Sequence, residues 1–225
     1  MKPYTIVNVE QRSPEWFAAR LGRITGTCAD AMLAAGRAKG SESVQRRDLK
    51  LRLVCERITG QPQDDDDRRT TAAMDRGVER EPDAFYAYEA HTRSLVRRTG
   101  FIAHNELEIG CSLDGDIDDC TGILELKCPK TATHLRYLRG DGVPLDYMRQ
   151  ITHNLFVTGA EWCDFVSFDD RLGDNLALVV RRVYRTDLDM AAYELALRLF
   201  LREVEQEYRD VMALRMPQEA TDVPA

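Results

Sequence analysis

The chain has 225 residues, of which 44% are hydrophobic and 31% are charged, and its formal net charge is −7. This composition fits one folded domain with a full core and argues against a disordered chain. No apolar run reaches the roughly 18 residues of a membrane span and the opening residues lack a signal-peptide core, so a soluble, cytoplasmic protein is expected.

Charge is unevenly distributed along the sequence. Residues 1–60 carry 11 basic and 6 acidic side chains, whereas residues 61–225 carry 20 basic and 32 acidic ones. Of the 31 basic residues 26 are arginine, whose planar guanidinium binds phosphate in two-pronged fashion. A basic segment on an acidic body allows a polyanion to bind at one face. No CxxC pair occurs among the six cysteines, so zinc-ribbon and thioredoxin-like sites are not supported.

Helix signals dominate the first 90 residues. Ser13 followed by Pro14 has the composition of a helix start. Three further helices are expected, and the acidic run 64–67 is expected to be a solvated loop between the last two of them; the helices cover Thr27–Ala35, Val44–Ile58 and Thr71–Ala90.

The pattern then changes to short apolar segments bounded by Gly and Asp, which predict strands. The expected order is strands at Ser94–Thr99, Glu108–Leu113 and Gly122–Cys128, helices at Thr131–Leu138 and Leu145–Val157, then strands at Cys163–Phe168 and Leu176–Tyr184. Asp187 is expected to cap a closing helix that reaches about Leu214, before a frayed tail at 216–225. The chain is predicted to be one α/β domain over 1–225, with a basic helical segment at 1–60, a sheet at 94–184 and a closing helix at 187–214.

One stretch carries recognisable chemistry. Glu125 and Lys127 are two residues apart on a predicted strand, so their side chains point to the same face. Asp114, at the end of the preceding strand, can lie beside Glu125. Two carboxylates and the backbone carbonyl of Leu126 offer hard oxygen ligands to Mg²⁺ or Mn²⁺. The lysine can orient the attacking water or neutralise charge on a phosphate, so the set is suited to phosphodiester hydrolysis.

Two other interpretations of these residues remain open. Glu125 and Lys127 also fit an exposed ion pair without function. The acids at Asp114, Asp116, Asp118 and Glu125 fall at positions 1, 3, 5 and 12 of a calcium-binding EF-hand loop. Position 6 of that loop is Asp119 where an EF-hand has glycine, and the flanking segments have strand character.

The sequence resembles the lambda exonuclease family, the YqaJ-type phage recombination exonucleases of the PD-(D/E)xK nuclease superfamily. The motifs that carry this resemblance follow one another in the family's order. They are Pro14-Glu15-Trp16 with Ala19 to Thr27, Gly77 to Pro82, Cys111 to Gly115, Leu124 to Pro129, and Tyr147 to Gln150 with Val157 to Asp164. The resemblance implies a restriction-endonuclease-like core, in which helices flank a central mixed β-sheet.

The resemblance also implies roles for individual residues. Asp114, Glu125 and the Leu126 carbonyl would bind the metal, and Lys127 would act on the attacking water. Glu81 and Gln150 would complete the catalytic set near the metal and the nucleophile. A 5′-terminal phosphate would bind to Arg20, Thr27 and Ser112, and Met74 would be the wedge that splits the terminal base pair. Taken singly, Arg20 and Gln150 also fit solvent-facing helix positions, and Met74 also fits a core methionine.

One position departs from the family pattern. Leu113 stands where the family has a proline before the first catalytic aspartate. A proline restricts the backbone at the end of the strand, so its replacement is expected to loosen Asp114 without removing a ligand. Asp116, Asp118 and Asp119 lie in the same loop as substitute ligands.

The function implied is Mg²⁺-dependent 5′-to-3′ digestion of one strand of linear double-stranded DNA from a 5′-phosphate end. The products would be 5′-mononucleotides and a 3′ single-stranded overhang. Mn²⁺ would substitute and Ca²⁺ would inhibit. The expected partners are two further copies of the chain in a trimeric ring and a single-strand annealing protein. The expected location is the cytoplasm of a bacterial host, with the protein encoded by a phage or prophage. The alternatives are a PD-(D/E)xK endonuclease and a non-catalytic calcium- or DNA-binding module.

Overall fold

The computed structural model describes residues 2–38, 40–63, 72–173 and 175–214, and of residues 72–75 it describes the backbone only. Its helices are α1 Pro14–Arg20, α2 Ala29–Leu33, α3 Val44–Thr59, α4 Ala72–Thr92, α5 Thr131–Leu138, α6 Leu145–Thr158 and α7 Met190–Ala213. Its strands are β1 Tyr4–Val7, β2 Phe101–His104, β3 Gly110–Cys111, β4 Gly115–Ile117, β5 Gly122–Lys127, β6 Trp162–Phe168 and β7 Leu178–Tyr184. Short 3₁₀ turns cover Gly26–Cys28 and Arg185–Asp187.

The strands form two sheets. The larger has the order β4-β5-β6-β7, in which β5 and β6 are parallel and the outer pairs are antiparallel. A parallel pair needs a long crossover, and helices α5 and α6 provide it. The smaller sheet is antiparallel, with the order β1-β2-β3. This is the predicted α/β class, a mixed sheet flanked by helices.

Both faces of β5 are covered, because side chains alternate along a strand. Leu124 and Leu126 pack with Tyr88 of α4 on one face. Ile123 belongs to the main core on the other face, together with Ile151 of α6. Glu125 therefore enters the α6 side, and the polar site is built into a packed layer rather than onto a bare surface.

Several predicted helix boundaries are confirmed. The Ser13 hydroxyl accepts a hydrogen bond from the Trp16 amide at 3.2 Å and caps α1. Helix α3 ends at Gly60, whose φ of 66° is a left-handed conformation that favours glycine. Helix α5 covers the predicted residues.

Other sequence predictions are wrong. The segment Ser94–Thr99 is not a strand, and only an isolated bridge joins Arg97 to Asp116; the strand lies further on, at β2. The N-terminal segment 1–60 is not wholly helical, since β1 pairs with β2. The short strand β4 was not expected among so many aspartates. Asp189, rather than Asp187, caps α7, because its carboxylate accepts from the Ala192 amide at 2.9 Å.

The acidic run at 64–67 and the tail at 216–225 lie outside the described residues. Among the helices within the described ranges, none combines the length and the apolar character that a membrane crossing requires.

Candidate active site

Asp114 meets β5 just beyond the end of the β4–β5 pairing. Its Oδ2 accepts a hydrogen bond from the Leu126 amide at 2.6 Å. Asp114 directly precedes Gly115, and Leu126 lies two residues after Leu124, the partner of Gly115 in the sheet. In a strand the N–H and C=O of one residue leave at the same edge. The Leu126 carbonyl therefore lies on the edge that Asp114 occupies, so the structure brings these two predicted oxygen donors together.

Glu125 is buried beside Asp114 and is 1% exposed. Its Oε1 bonds the Lys127 ammonium, and its Oε2 accepts from Gln150 Nε2 at 2.8 Å and from Asn154 Nδ2 at 3.4 Å. Burial raises the pKa of Glu125 above its ordinary value; the charge of Asp114 adds to this, and Lys127 acts against it. A buried carboxylate with a like-charged neighbour favours the approach of a cation.

Lys127 lies between the two carboxylates and an aromatic ring. Its Nζ is 4.0 Å from Asp114 Oδ2 and 5.2 Å from the centre of the Tyr147 ring. Burial lowers the pKa of Lys127, but attraction by Glu125 and Asp114 outweighs burial, so the pKa is raised. The side chain is therefore an ammonium that can hold a water molecule or neutralise phosphate charge.

Glu81 projects from α4 at the junction of two clefts. One cleft contains Asp114, the other contains Lys127, and each has a volume of about 610 Å³. Burial raises the pKa of Glu81, and the negative charge of Asp114 raises it further. The structure thus places Glu81 beside the carboxylate pair.

The donor set fits a hard divalent cation. Asp114 and Glu125 supply carboxylate oxygens, Leu126 supplies a carbonyl, and Glu81 adds negative charge nearby. Within the described residues, no three His, Cys, Asp or Glu side chains converge as a metal cluster. The candidate site therefore has two carboxylate side chains and main-chain oxygen, which suits Mg²⁺ with part of its shell left to water and phosphate.

The three predicted phosphate-binding residues converge around Arg20. Its guanidinium donates to Ser112 Oγ at 3.3 Å and to Thr25 Oγ1 at 3.4 Å, and Thr25 Oγ1 lies 3.2 Å from Thr27 Oγ1. The guanidinium also stacks 4.1 Å from the centre of the Trp16 ring. A fixed guanidinium surrounded by hydroxyl groups is suited to binding a phosphate.

Gly26 connects this phosphate-binding region to the donors that hold Glu125. A Cβ at position 26 would lie 2.5 Å from Asn154 Oδ1 and 3.0 Å from Gln150 Cγ. Glycine therefore permits the Gly26–Cys28 turn to pack closely against α6. The opening motif and the Gln150 motif, far apart in sequence, form one wall of the site.

The loop after Asp114 contradicts the EF-hand interpretation. Asp116 is buried and accepts hydrogen bonds from the Arg97 side chain at 2.7 Å and from the Cys120 amide at 2.6 Å. Asp116 lies in strand β4, whereas the corresponding residue of an EF-hand lies in the calcium-binding loop. The segment 114–125 runs from β4 into β5 and is not flanked by helices. Asp119 bonds Lys2 and Arg97. The carboxylates of Asp116 and Asp119, which the sequence offered as substitute ligands, are both paired with basic side chains.

Leu113 stands at the position where the family resemblance implies a proline. Leu113 is fully buried, and its carbonyl accepts from Gln11 Nε2 at 2.9 Å. Together with the Leu126 amide bond, this contact restrains the backbone on either side of Asp114.

Sequence reasoning gave no role to three residues of the site. Thr25 bonds Arg20, Trp16 donates its indole N–H to Ser112 Oγ at 2.9 Å, and Asn154 bonds Glu125. Each had a usable signal: Asn154 lies four residues after Gln150 and so shares its helix face, and Trp16 and Thr25 lie within the opening motif. The side chain of Met74 lies outside the described residues, so the structure does not place the predicted wedge.

A family model for the YqaJ-like viral recombinase domain matches residues 15–161. The chain belongs to this family. Its fold is similar to the crystal structure of an alkaline exonuclease, LHK-Exo, from Laribacter hongkongensis, at 34% identity and a TM-score of 0.78, over 90% of this chain and 97% of that one. The predicted family is thereby confirmed.

Two further solved structures are similar. The complex of LHK-Exo with dAMP matches at 33% identity and a TM-score of 0.78, with the same coverage of both chains. A phage related exonuclease from Haemophilus somnus 129PT matches at 11% identity and a TM-score of 0.61, over 86% of this chain and 96% of that one, which shows a common fold. No curated protein matches the chain.

Proposed function

We propose that the chain is a Mg²⁺-dependent exonuclease that digests one strand of linear duplex DNA from a 5′-phosphate end. It proceeds 5′ to 3′, releases 5′-mononucleotides and leaves a 3′ overhang. Family membership and the exonuclease neighbours support a nuclease of phage-type DNA recombination. The observation that carries the polarity is the contact of Arg20 with Ser112, two residues before Asp114.

The short separation between Ser112 and Asp114 favours action at an end. Two extended residues span about 7 Å, which is comparable with one nucleotide step along a strand. A phosphate held at Arg20 would then place the next phosphodiester near Asp114 and Glu125. An enzyme that cuts within a strand has no need of a terminal-phosphate site at this distance.

The chain's own residues divide the work of the reaction. Arg20 and its hydroxyl neighbours bind and orient the end of the strand, while Glu125 is held in place by Gln150. Lys127 orients the attacking water and offsets charge on the scissile phosphate. Mg²⁺ at the carboxylates would supply Lewis-acid stabilisation of that phosphate. Mn²⁺ is expected to substitute, whereas Ca²⁺, with its looser and larger coordination shell, is expected to inhibit.

Digestion of a linear duplex labelled at either end tests this proposal. With Mg²⁺ we expect mononucleotides from the 5′ end, faster from a 5′-phosphate than from a 5′-hydroxyl, and no products with EDTA. An Arg20→Ala variant should remove the advantage of the 5′-phosphate. Release from the 3′ end would contradict the polarity, and no hydrolysis with Mg²⁺ or Mn²⁺ would contradict the nuclease.

The two alternative functions give different results. A PD-(D/E)xK endonuclease would cut covalently closed circular DNA, which the proposed exonuclease leaves intact. A calcium- or DNA-binding module would bind without turnover in any metal. The engagement of Asp116 with Arg97 and Cys120 disfavours the calcium loop.

The proposal includes a trimeric ring and a single-strand annealing partner in the bacterial cytoplasm, as the family resemblance implies. A ring with its arginines inside would reconcile a net charge of −7 with DNA binding. Analytical ultracentrifugation measures the mass directly, and a monomer at all concentrations would contradict the ring.

A further inference from the structure

The two clefts at the candidate active site share one basic residue, Arg12. Arg12, Val78 and Glu81 line both the cleft that contains Asp114 and the cleft that contains Lys127. The side chain of Arg12 is exposed, and its charge acts on Glu81 strongly enough to oppose the rise of that carboxyl's pKa. The positive charge of Arg12 therefore lies where the two clefts meet.

The backbone at Arg12 is in a conformation that arginine rarely adopts. Its φ is 72°, in the left-handed region that glycine tolerates without strain. The neighbouring residues hold this geometry, because Gln11 Nε2 donates to Thr99 O at 3.1 Å and to Leu113 O at 2.9 Å, while Ser13 caps α1. Strained non-glycine residues held by their surroundings cluster at functional sites.

A second arginine lies in the cleft that contains Asp114. Arg98 is exposed, lines this cleft together with Arg12, and lies 4.6 Å from the centre of the Phe85 ring. It also opposes the rise of the Glu81 pKa. Two guanidinium groups from separate segments therefore face one cleft beside the catalytic carboxylates. Most contacts between proteins and DNA are made to backbone phosphates, and arginine is well suited to make them.

We infer that Arg12 is a DNA-binding residue that contacts a backbone phosphate of the substrate strand beside the catalytic carboxylates, with Arg98 as a second contact in the same cleft. This inference rests on the proposed nuclease function and extends it. Neither arginine lines the cleft that contains Arg20, so they would supply contacts to the strand in addition to the Arg20 site. The left-handed residue 12 lies in a tight turn directly before α1, in which the Ser13 amide donates to the Glu10 carbonyl at 3.1 Å, and this turn presents the Arg12 side chain to both clefts.

The chain offers a matched control for this inference. Arg93 is also an exposed arginine with a left-handed backbone, at φ 60°, and it follows the C-terminus of α4, outside both clefts. Arg12→Gly and Arg93→Gly both relieve strain and both remove one positive charge. Each variant should raise the thermal midpoint by roughly 2–4 °C, which also verifies that both fold.

The experiment measures steady-state hydrolysis of a 5′-phosphorylated duplex, together with equilibrium binding of a fluorescent duplex, at several salt concentrations. We expect Arg12→Gly to raise KM and the dissociation constant roughly tenfold, with a smaller effect on kcat. The slope of log affinity against log salt should fall by about 0.7–0.9, as for the loss of one phosphate contact. Arg98→Ala should act in the same direction, and Arg12→Lys should recover most of the binding.

Arg93→Gly should leave KM, the dissociation constant and the salt slope at wild-type values. If the wild type hydrolyses DNA and the Arg12→Gly variant has the same KM, affinity and salt slope as the wild type, the inference is overturned while the nuclease proposal stands. Equal losses in Arg12→Gly and Arg93→Gly would overturn it as well, since they would reflect net charge alone. If the wild type does not hydrolyse DNA, the nuclease proposal fails, and the binding measurements still decide the role of Arg12.

Discussion

Glu125 on β5 and Asp164 on β6 are each 1% exposed and lie on adjacent strands of one sheet. Asp164 faces α4, whose Tyr88 hydroxyl donates to it at 2.7 Å, and Arg182 of the neighbouring strand β7 donates to both of its oxygens at 2.8 Å. Glu125 faces α6, where it bonds the side-chain amides of Gln150 and Asn154, and it also bonds Lys127 of its own strand. The same sheet therefore buries Glu125 and Asp164 on opposite faces.

The two carboxylates differ in how fully their charge is compensated. A two-pronged guanidinium and a hydroxyl satisfy Asp164, and the guanidinium also stacks 3.6 Å from the centre of the Trp162 ring. Glu125 has a lysine that it shares with Asp114, and burial together with Asp114 raises its pKa. Asp164 therefore joins β6 to β7 through a fully compensated ion pair, whereas Glu125 keeps negative charge that a bound cation would neutralise.

The largest expected effect is the loss of hydrolysis in Lys127→Ala. The ammonium is the cation that contacts Glu125 and lies near Asp114, so its removal should lower the single-turnover rate by about 10²–10⁴-fold while DNA binding stays nearly intact. Lys2→Ala removes a comparable lysine–carboxylate pair, with Asp119, and should retain the rate. Lost binding with retained cleavage would contradict the role of Lys127.

A large loss of stability is expected at Asp164, and little at Glu125. Asp164→Ala leaves the buried Tyr88 hydroxyl and the partly exposed Arg182 without their acceptor, which should cost about 3 kcal/mol of unfolding free energy in urea. Glu125→Gln removes a charge that burial already disfavours, so without metal it should change stability by less than about 1 kcal/mol while hydrolysis is lost. Equal losses of stability in the two variants would remove the distinction between the two carboxylates.

The proximity of Asp114, Glu125 and Lys127 was predictable because its information is local. Alternation along a strand places Glu125 and Lys127 on one face, and an Asp-Gly pair before a strand brings Asp114 beside them. The Asp164–Arg182 pair was not predictable, since it depends on the register between β6 and β7.

The errors in the fold have a similar origin. Strand β4 is a Gly-Asp-Ile segment flanked by further aspartates, and strand propensity disfavours both glycine and aspartate, yet pairing with β5 and the Arg97–Asp116 contact stabilise it. Asp187 and Asp189 are both good caps by composition, and only the start of α7 decides between them. The roles of Arg12 and Thr25 depend on long-range packing that no local pattern reports.

Acid should weaken the α6 side of the sheet through His153. This histidine is fully buried; its Nε2 donates to the Gly110 carbonyl at 2.9 Å, and the Tyr193 hydroxyl donates to its Nδ1 at 2.6 Å. Burial lowers the pKa of His153 from 6.5 to about 4. The histidine therefore binds a proton more tightly in the unfolded chain than in the folded one. Its contribution to the unfolding free energy is fully present above about pH 6.5 and falls by on the order of 3 kcal/mol as the pH approaches 4.

Urea unfolding between those two pH values measures this effect. His153→Gln keeps one donor and one acceptor without titrating in this range, so its stability should depend less on pH. Hydrogen exchange should show α6 losing protection before the strands that carry Asp164 and Arg182. Identical pH profiles for the wild type and His153→Gln would contradict the assignment.

The smallest effect is expected at Gln150, because it acts on the reaction only through Glu125. Its amide donates to Glu125 Oε2 at 2.8 Å, and a hydrogen bond to a charged group contributes about 1.5 kcal/mol, or roughly tenfold in rate. Gln150→Ala should therefore slow hydrolysis about tenfold and raise the Mg²⁺ concentration required. The loss is limited to this size because Asn154 still donates to the same oxygen at 3.4 Å. Thr152→Ala, on the same helix, removes only a bond to the Met148 carbonyl and should leave both quantities unchanged. A wild-type rate and metal requirement in Gln150→Ala would mean that Lys127 and Asn154 are enough to hold Glu125, so that the cation rather than the Gln150 amide sets the behaviour of this buried carboxylate.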